Sequence, residues 1–245
     1  MPSPIKNIKN QTNSFTAIKR LIKKGEVIDY YPFFSGNLAS KLSAADRFVI
    51  GHTENYVVYE FWACLKRDPE RVAKIAESFF PNLNENTFDI LKKNWYSYKD
   101  PFVRAALFFL LNRCSSVGMI THGEFDTKNF NSFALRDLKS FDYDNLHINL
   151  LKNKTILDFK DNITIINGGK YRRTFLHNEE VLGLEETEIK SDTLLKKFVD
   201  RRCLFVFNFH PYLKKIKNYE CLMLDQYGRE TDESNAKEII LHNVR

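Results

Sequence analysis

Apolar residues crowd most densely between Phe102 and Leu111, where Phe102, Ala105, Ala106, Phe108, Phe109, Leu110 and Leu111 leave almost no polar face. A helix that is apolar nearly all round is buried on most sides, so this stretch is expected to be the central post of a helical layer. Asp100 supplies an N-cap and Pro101 the residue best tolerated at the first helical position. The helix is predicted to stop near Ser115 to Gly118, before a loop carrying Gly123, Glu124, Phe125 and Asp126.

The same patterning orders the rest of the chain. Phe15 to Ile22 has helical spacing and is ended by Gly25; Glu26 to Tyr31 reads as a strand, Pro32 to Asn37 as the loop after it, and a second helix begins there. Asp46 to His52 is a short strand of buried type. Asn55 to Arg67 follows as a helix, and Asp68-Pro69-Glu70 caps another that runs toward Phe80-Pro81. Leu83 to Leu151 contains no strong strand and reads as a helical insert. Strands resume at Lys154 to Phe159 and Asn162 to Asn167, the latter ending at Gly168-Gly169. Ser191 to Arg201 is helical and Cys203 to Phe209 is a further strand. Tyr219 to Leu224 and Glu238 to His242 are predicted to form an antiparallel hairpin at the sheet edge. The alternation of strand and helix implies an α/β, doubly wound, mostly parallel sheet with an antiparallel last strand and a helical insert. The chain divides into a first α/β part over 1–82, the insert over 83–151, and a second α/β part over 152–245.

With 245 residues and 43% hydrophobic content, the chain is long enough to bury a real core. The longest apolar run is far short of the roughly 20 residues that cross a bilayer, and the basic, polar start lacks the apolar centre of a signal peptide. A protein without membrane association is expected. Cys64, Cys114, Cys203 and Cys221 are widely spaced in apolar settings, which predicts reduced core thiols in an intracellular, cytoplasmic setting. Neither they nor the six histidines fall at zinc-ligand spacing, so no metal site is expected. The net charge of +6 suits weak attraction to a polyanion, although Lys19-Arg20, Lys23-Lys24, Lys170-Arg172-Arg173 and Lys214-Lys215-Lys217 fit solvated faces equally well.

The run Asp100-Pro101-Phe102-x-Arg104-Ala105-x-Leu107-Phe108-x-Leu110-x-Asn112-Arg113, followed by Gly118 and Gly123-Glu124-Phe125, resembles the Dam-type adenine-specific DNA methyltransferases. Ile18-Lys19-Arg20, Lys24-Gly25-Glu26, Pro32-Phe33, Ile50 and Lys237-Glu238-Ile239-Ile240-Leu241 extend the resemblance over nearly the whole length. It implies the class I fold of S-adenosylmethionine-dependent enzymes, with a DNA-recognition region in the insert. Its DNA-facing candidates are Arg113, His122, Lys128, Arg172 and Arg173. The family occurs in bacteria and their viruses, and the Asn, Lys, Ile and Phe bias is that of an AT-rich genome, so a bacteriophage origin stays open.

Ligands of open α/β sheets bind at the carboxyl ends of the strands, and the resemblance places four features there. Each departs from the family pattern. Lys9-Asn10-Gln11 stands where the family has Gly-Gly-Lys. Pro32-Phe33-Phe34-Ser35-Gly36-Asn37 replaces Pro-Phe-x-Gly-x-Gly, leaving Pro32, Phe33 and Gly36 as the cofactor-binding candidates in that loop. His52, with Glu54 two residues on, stands where an acidic residue binds the cofactor ribose. Asn167-Gly168-Gly169-Lys170-Tyr171 stands where Asp/Asn-Pro-Pro-Tyr holds the flipped adenine, which makes Asn167 and Tyr171 the catalytic candidates. Phe209-His210-Pro211-Tyr212 is a rival for that motif, but its strand leads to the terminal hairpin, as the family's fifth strand does. Met119-Ile120-Thr121-His122 lacks the arginine that reads guanine edges.

Scaffold residues therefore match the family while residues that touch cofactor, base and DNA do not. The expectation is a catalytically inactive methyltransferase-fold protein, without a bound cofactor, acting as a structural or protein-interaction subunit. Two alternatives stay open: a module binding DNA through diffuse basic contacts, and a divergent S-adenosylmethionine-dependent adenine methyltransferase.

Overall fold

The computed structural model describes residues 3–6, 13–118, 120, 123–141, 144–151, 162–171, 174–175 and 189–244. Seven strands make one sheet: β1 (Val27–Tyr31), β2 (Phe48–Thr53), β3 (Leu146–Leu150), β4 (Ile163–Gly169), β5 (Cys203–Asn208), β6 (Glu220–Leu224) and β7 (Glu238–His242). Their spatial order is β3-β2-β1-β4-β5-β7-β6. The first five pair in parallel, and β7 runs antiparallel between β5 and β6. Order and polarity are those of a Rossmann-like class I α/β fold. A separate two-stranded ribbon pairs Thr174–Phe175 with Ile189–Lys190.

The helices form where apolar periodicity and caps coincide: α1 (Phe15–Leu21), α2 (Asn37–Ser43), α3 (Tyr56–Arg67), α4 (Pro69–Phe79), α5 (Glu85–Asn94), α6 (Pro101–Arg113), α7 (Ser132–Lys139) and α8 (Ser191–Lys197). Asn55, Asp68 and Asp100 cap α3, α4 and α6, their side chains accepting from Val57, Arg71 and Phe102 N–H respectively. Arg47 is wholly enclosed and donates to the carbonyls of Lys19 at 2.9 Å and Ile22 at 2.6 Å. Its charge thereby meets the carboxyl end of α1, where helical carbonyls lack partners.

Strand alternation sends side chains into two cores. Ile28, Tyr30, Val49, Ile165, Leu204, Val206 and Ile240 join α1 to α4 and α6 on one face. Tyr31, Ile166, Phe205, Phe207, Ile239 and Leu241 meet α8 on the other. Helix α6 is the post its pattern predicts: Ala106 to Leu111 are sealed from solvent, and Phe108 packs on Phe61 at 5.0 Å and Trp95 at 5.8 Å. Arg104, near its start, forms a fork on Glu60 of α3, with Nε 2.7 Å from Oε2. Tyr56 donates to the same carboxylate at 3.1 Å.

Two expectations need correction, the helical insert at Leu146–Leu150 and the burial of Cys221. Leu146–Leu150, assigned to the helical insert, is strand β3: apolar Leu146, Ile148 and Leu150 alternate with His147 and Asn149, a period-two pattern only five residues long beside β2. The terminal hairpin closes the sheet as expected, β6 forming the outer edge and β7 pairing antiparallel with it and with β5. Cys64, Cys114 and Cys203 are buried free thiols, whereas Cys221 is exposed, since it lies on edge strand β6. The strand expected at Lys154 to Phe159 lies outside the described residues. Among the described residues, no helix is long and apolar enough to cross a membrane.

Candidate functional site

The loop after β1 turns back over the end of β2, because the Phe33 N–H donates to the His52 carbonyl at 2.8 Å. This lays the Phe33 ring directly on Gly51, where a Cβ would stand 2.3 Å from a ring carbon. Only glycine leaves room for that contact. Trp62 of α3 meets the ring edge-on at 5.3 Å and fixes the loop by donating from Nε1 to the Phe34 carbonyl at 2.8 Å. Gly36, in the left-handed region at φ 65°, brings its Cα against the far end of the same ring. Phe33 is 1% exposed as a result. Of the loop's cofactor-binding candidates, Phe33 and Gly36 are packed against one another, and Pro32, after a cis bond from Tyr31, is partly exposed.

His52 is a residue of β2, as expected, and the strand continues to Thr53. Its Nε2 lies 2.6 Å from Asp29 Oδ1, and both side chains are 5% exposed. The second Asp29 oxygen accepts from Asn162 at 3.0 Å, and Asn149 Nδ2 lies 3.5 Å from His52 Nδ1. The imidazole is thus engaged within the sheet by a buried carboxylate. Glu54, the other candidate for a ribose, accepts from the Tyr31 hydroxyl at 3.4 Å.

Asn167 also lies inside its strand. The expected turn at Gly168-Gly169 is a bulge that lets β4 keep pairing with β5. Asn167 donates to the Tyr30 hydroxyl at 3.0 Å, and burial pushes that phenol up to about 12. Tyr171 sits with the opposite core: its hydroxyl donates to Asp192 at 3.2 Å, its ring stacks on Tyr212 at 5.7 Å, and the Phe207 ring meets it edge-on at 5.8 Å. The two catalytic candidates therefore engage opposite faces of the sheet. Phe209 to Tyr212 follows β5 and precedes the β6–β7 hairpin, so it is the later element and not the fourth-strand motif. It nonetheless supplies Tyr171 with its neighbours, His210 lying 5.2 Å away.

The Leu-Asn-Arg end of α6 faces the amino-terminal segment. Arg113 donates to the carbonyls of Pro4 at 2.7 Å and Ser3 at 3.2 Å, and desolvation lowers its pKa, opposed by Asp137. Lys128 is exposed in a single turn capped by Asp126. His122, Arg172 and Arg173 lie outside the described residues, as do Lys9 to Gln11. Among the described residues, no three His, Cys, Asp or Glu side chains are grouped to hold a metal ion.

Asp29, Gly51, Trp62 and Asn112 were not among the candidates read from the sequence. Asp29 carried a signal, being the one charged residue between Val27 and Tyr31. Gly51 and Trp62 carried none, because their role depends on a ring that arrives from another loop. Compared with known proteins, the chain matches no family model and no curated protein.

Proposed function

We propose that the chain is a non-catalytic relative of the Dam-type adenine methyltransferases, serving as a structural or protein-interaction subunit. The observation that carries this reading is that Asn167 and Tyr171, the pair the family resemblance would set on one adenine, engage opposite faces of the sheet. Side chains that would handle donor and base have other partners: His52 holds Asp29, Asn167 holds Tyr30, and Tyr171 is stacked by Tyr212. Transition-state stabilisation requires acceptor and stacking ring to converge on one adenine, and Asn167 and Tyr171 diverge. Arg113 spends its donors on Ser3 and Pro4, which weighs against the DNA-binding alternative. The buried thiols of Cys64, Cys114 and Cys203 fit a cytoplasmic, reducing setting.

The test is transfer of labelled methyl groups from S-adenosylmethionine to adenine-containing duplexes by the purified chain. No incorporation above a protein-free control is expected. Labelled N6-methyladenine in the product would overturn the reading.

A further inference from the structure

Residues Ser3–Lys6 form neither helix nor strand, yet Asn112 and Arg113 bind their main chain at the Ser3, Pro4 and Lys6 carbonyls and the Lys6 N–H. The wholly buried Asn112 accepts from Lys6 N–H at 2.8 Å and donates to the Lys6 carbonyl at 2.9 Å, reading one residue's backbone in both senses. Its amide also donates to the Gly118 carbonyl at 2.7 Å, which fixes its orientation. Arg113 takes the carbonyls of Pro4 and Ser3, and the Ser3 hydroxyl donates to the Ser35 carbonyl. Besides the Ser3 hydroxyl, two side chains carry selectivity: Ile5, 3% exposed in the main core, and Lys6, whose ammonium donates to the Ser116 carbonyl at 3.0 Å. Gly118, at φ 70°, has its Cα so near that a Cβ would stand 3.0 Å from the Lys6 carbonyl.

A segment held in this way is a bound peptide that happens to be tethered. Withdrawing it would leave the Asn112 amide and the Arg113 guanidinium without the carbonyls they now bind, so the cleft calls for another main chain in its place. A segment outside helix and strand with one apolar anchor opens more readily than a core helix. We propose that the cleft at the carboxyl end of α6 is a peptide-docking site whose resident ligand is Ser3–Lys6, and that a partner protein displaces it with an apolar residue followed by lysine. This rests on the protein-interaction reading and names the segment that such a partner presents.

The test uses the full chain with Ile5→Asp, which removes the strap's anchor, and the capped peptide Ser-Pro-Ile-Lys as probe. Calorimetry is expected to show saturable binding to Ile5→Asp and binding about tenfold weaker or less to the wild type, whose own strap competes at the high effective concentration of a tethered segment. Adding Asn112→Ala, or replacing the peptide's isoleucine with aspartate, is expected to abolish it. Absence of binding by an Ile5→Asp chain with wild-type circular dichroism overturns the proposal, as does binding that survives Asn112→Ala. Strap exchange between two copies, seen as a wild-type dimer in sedimentation, would replace the partner with a second copy and overturn that assignment. If Ile5→Asp does not fold, amide exchange in the wild type decides: the Lys6 N–H should exchange at least about tenfold faster than Leu110 and Leu111, and equal protection overturns the proposal. These titrations contain no methyl donor, so activity with S-adenosylmethionine would sink the non-catalytic reading separately.

Discussion

The loop after β1 and the loops after β4 and β5 lie at the same end of the sheet and have met opposite fates. In the first, Phe33 is sealed between Gly51, Gly36 and Trp62. In the second, Tyr171, His210 and Tyr212 gather at the surface, and Tyr212 stays 46% exposed. An aromatic ring locked in a core is held by packing on every side, so its loop behaves as part of the fold. A ring on a half-open shelf contributes less and tolerates change. The contrast separates the first loop, which completes the main core, from the other loops, which offer accessible surface.

The largest break in this comparison is Phe33→Ala. Removing a fully enclosed ring is expected to cost about 3–5 kcal/mol, read from urea unfolding midpoints. Next comes His52→Ala, which strands a buried Asp29 carboxylate and is expected to cost about 3 kcal/mol, with much of the loss recovered when Asp29→Ala is added. Gly51→Ala sharpens the picture: its methyl would collide with the Phe33 ring, costing about 1–3 kcal/mol, and that cost should largely vanish in a Phe33→Ala background. On the open shelf, Tyr212→Ala should cost only about 1 kcal/mol, the worth of one partly exposed aromatic pair.

The smallest effect is a pH dependence. Burial lowers the His242 pKa below its ordinary value, against the pull of Glu220. The unfolded chain then binds a proton that the folded chain refuses, so this residue's contribution is fully present above pH about 6.5 and declines as the pH falls below it. Substituting His242→Phe should flatten the stability profile in that acidic window, measured by thermal unfolding at stepped pH.

Much of the fold was legible because its signals are local. Asn55, Asp68 and Asp100 announce helix starts through bonds reaching two or three residues ahead, and the all-apolar α6 could be placed only at the centre. Strand β3 escaped because five alternating residues next to a helical stretch carry little weight alone. His52 and Asn167 are the expected last residues of their strands, because Gly51 and Gly168 resemble strand ends, and both strands run further. In fact Thr53 still pairs with Leu150, and Gly169 with Phe207. The site was less legible still. Trp62 and Gly51 enclose Phe33 only after α3 has folded back across β2, and Asn112 meets Lys6 across 106 positions of sequence. The motif around Asn112 and Arg113 is visible in the chain, but the strap it holds is not.

The central claim is that the side chains the resemblance sets at the donor and base are committed to the fold, His52 to Asp29 and Asn167 to Tyr30. Titration calorimetry of the wild-type chain with S-adenosylmethionine tests it most directly. The account predicts no saturable heat up to millimolar donor; a one-to-one isotherm would contradict it.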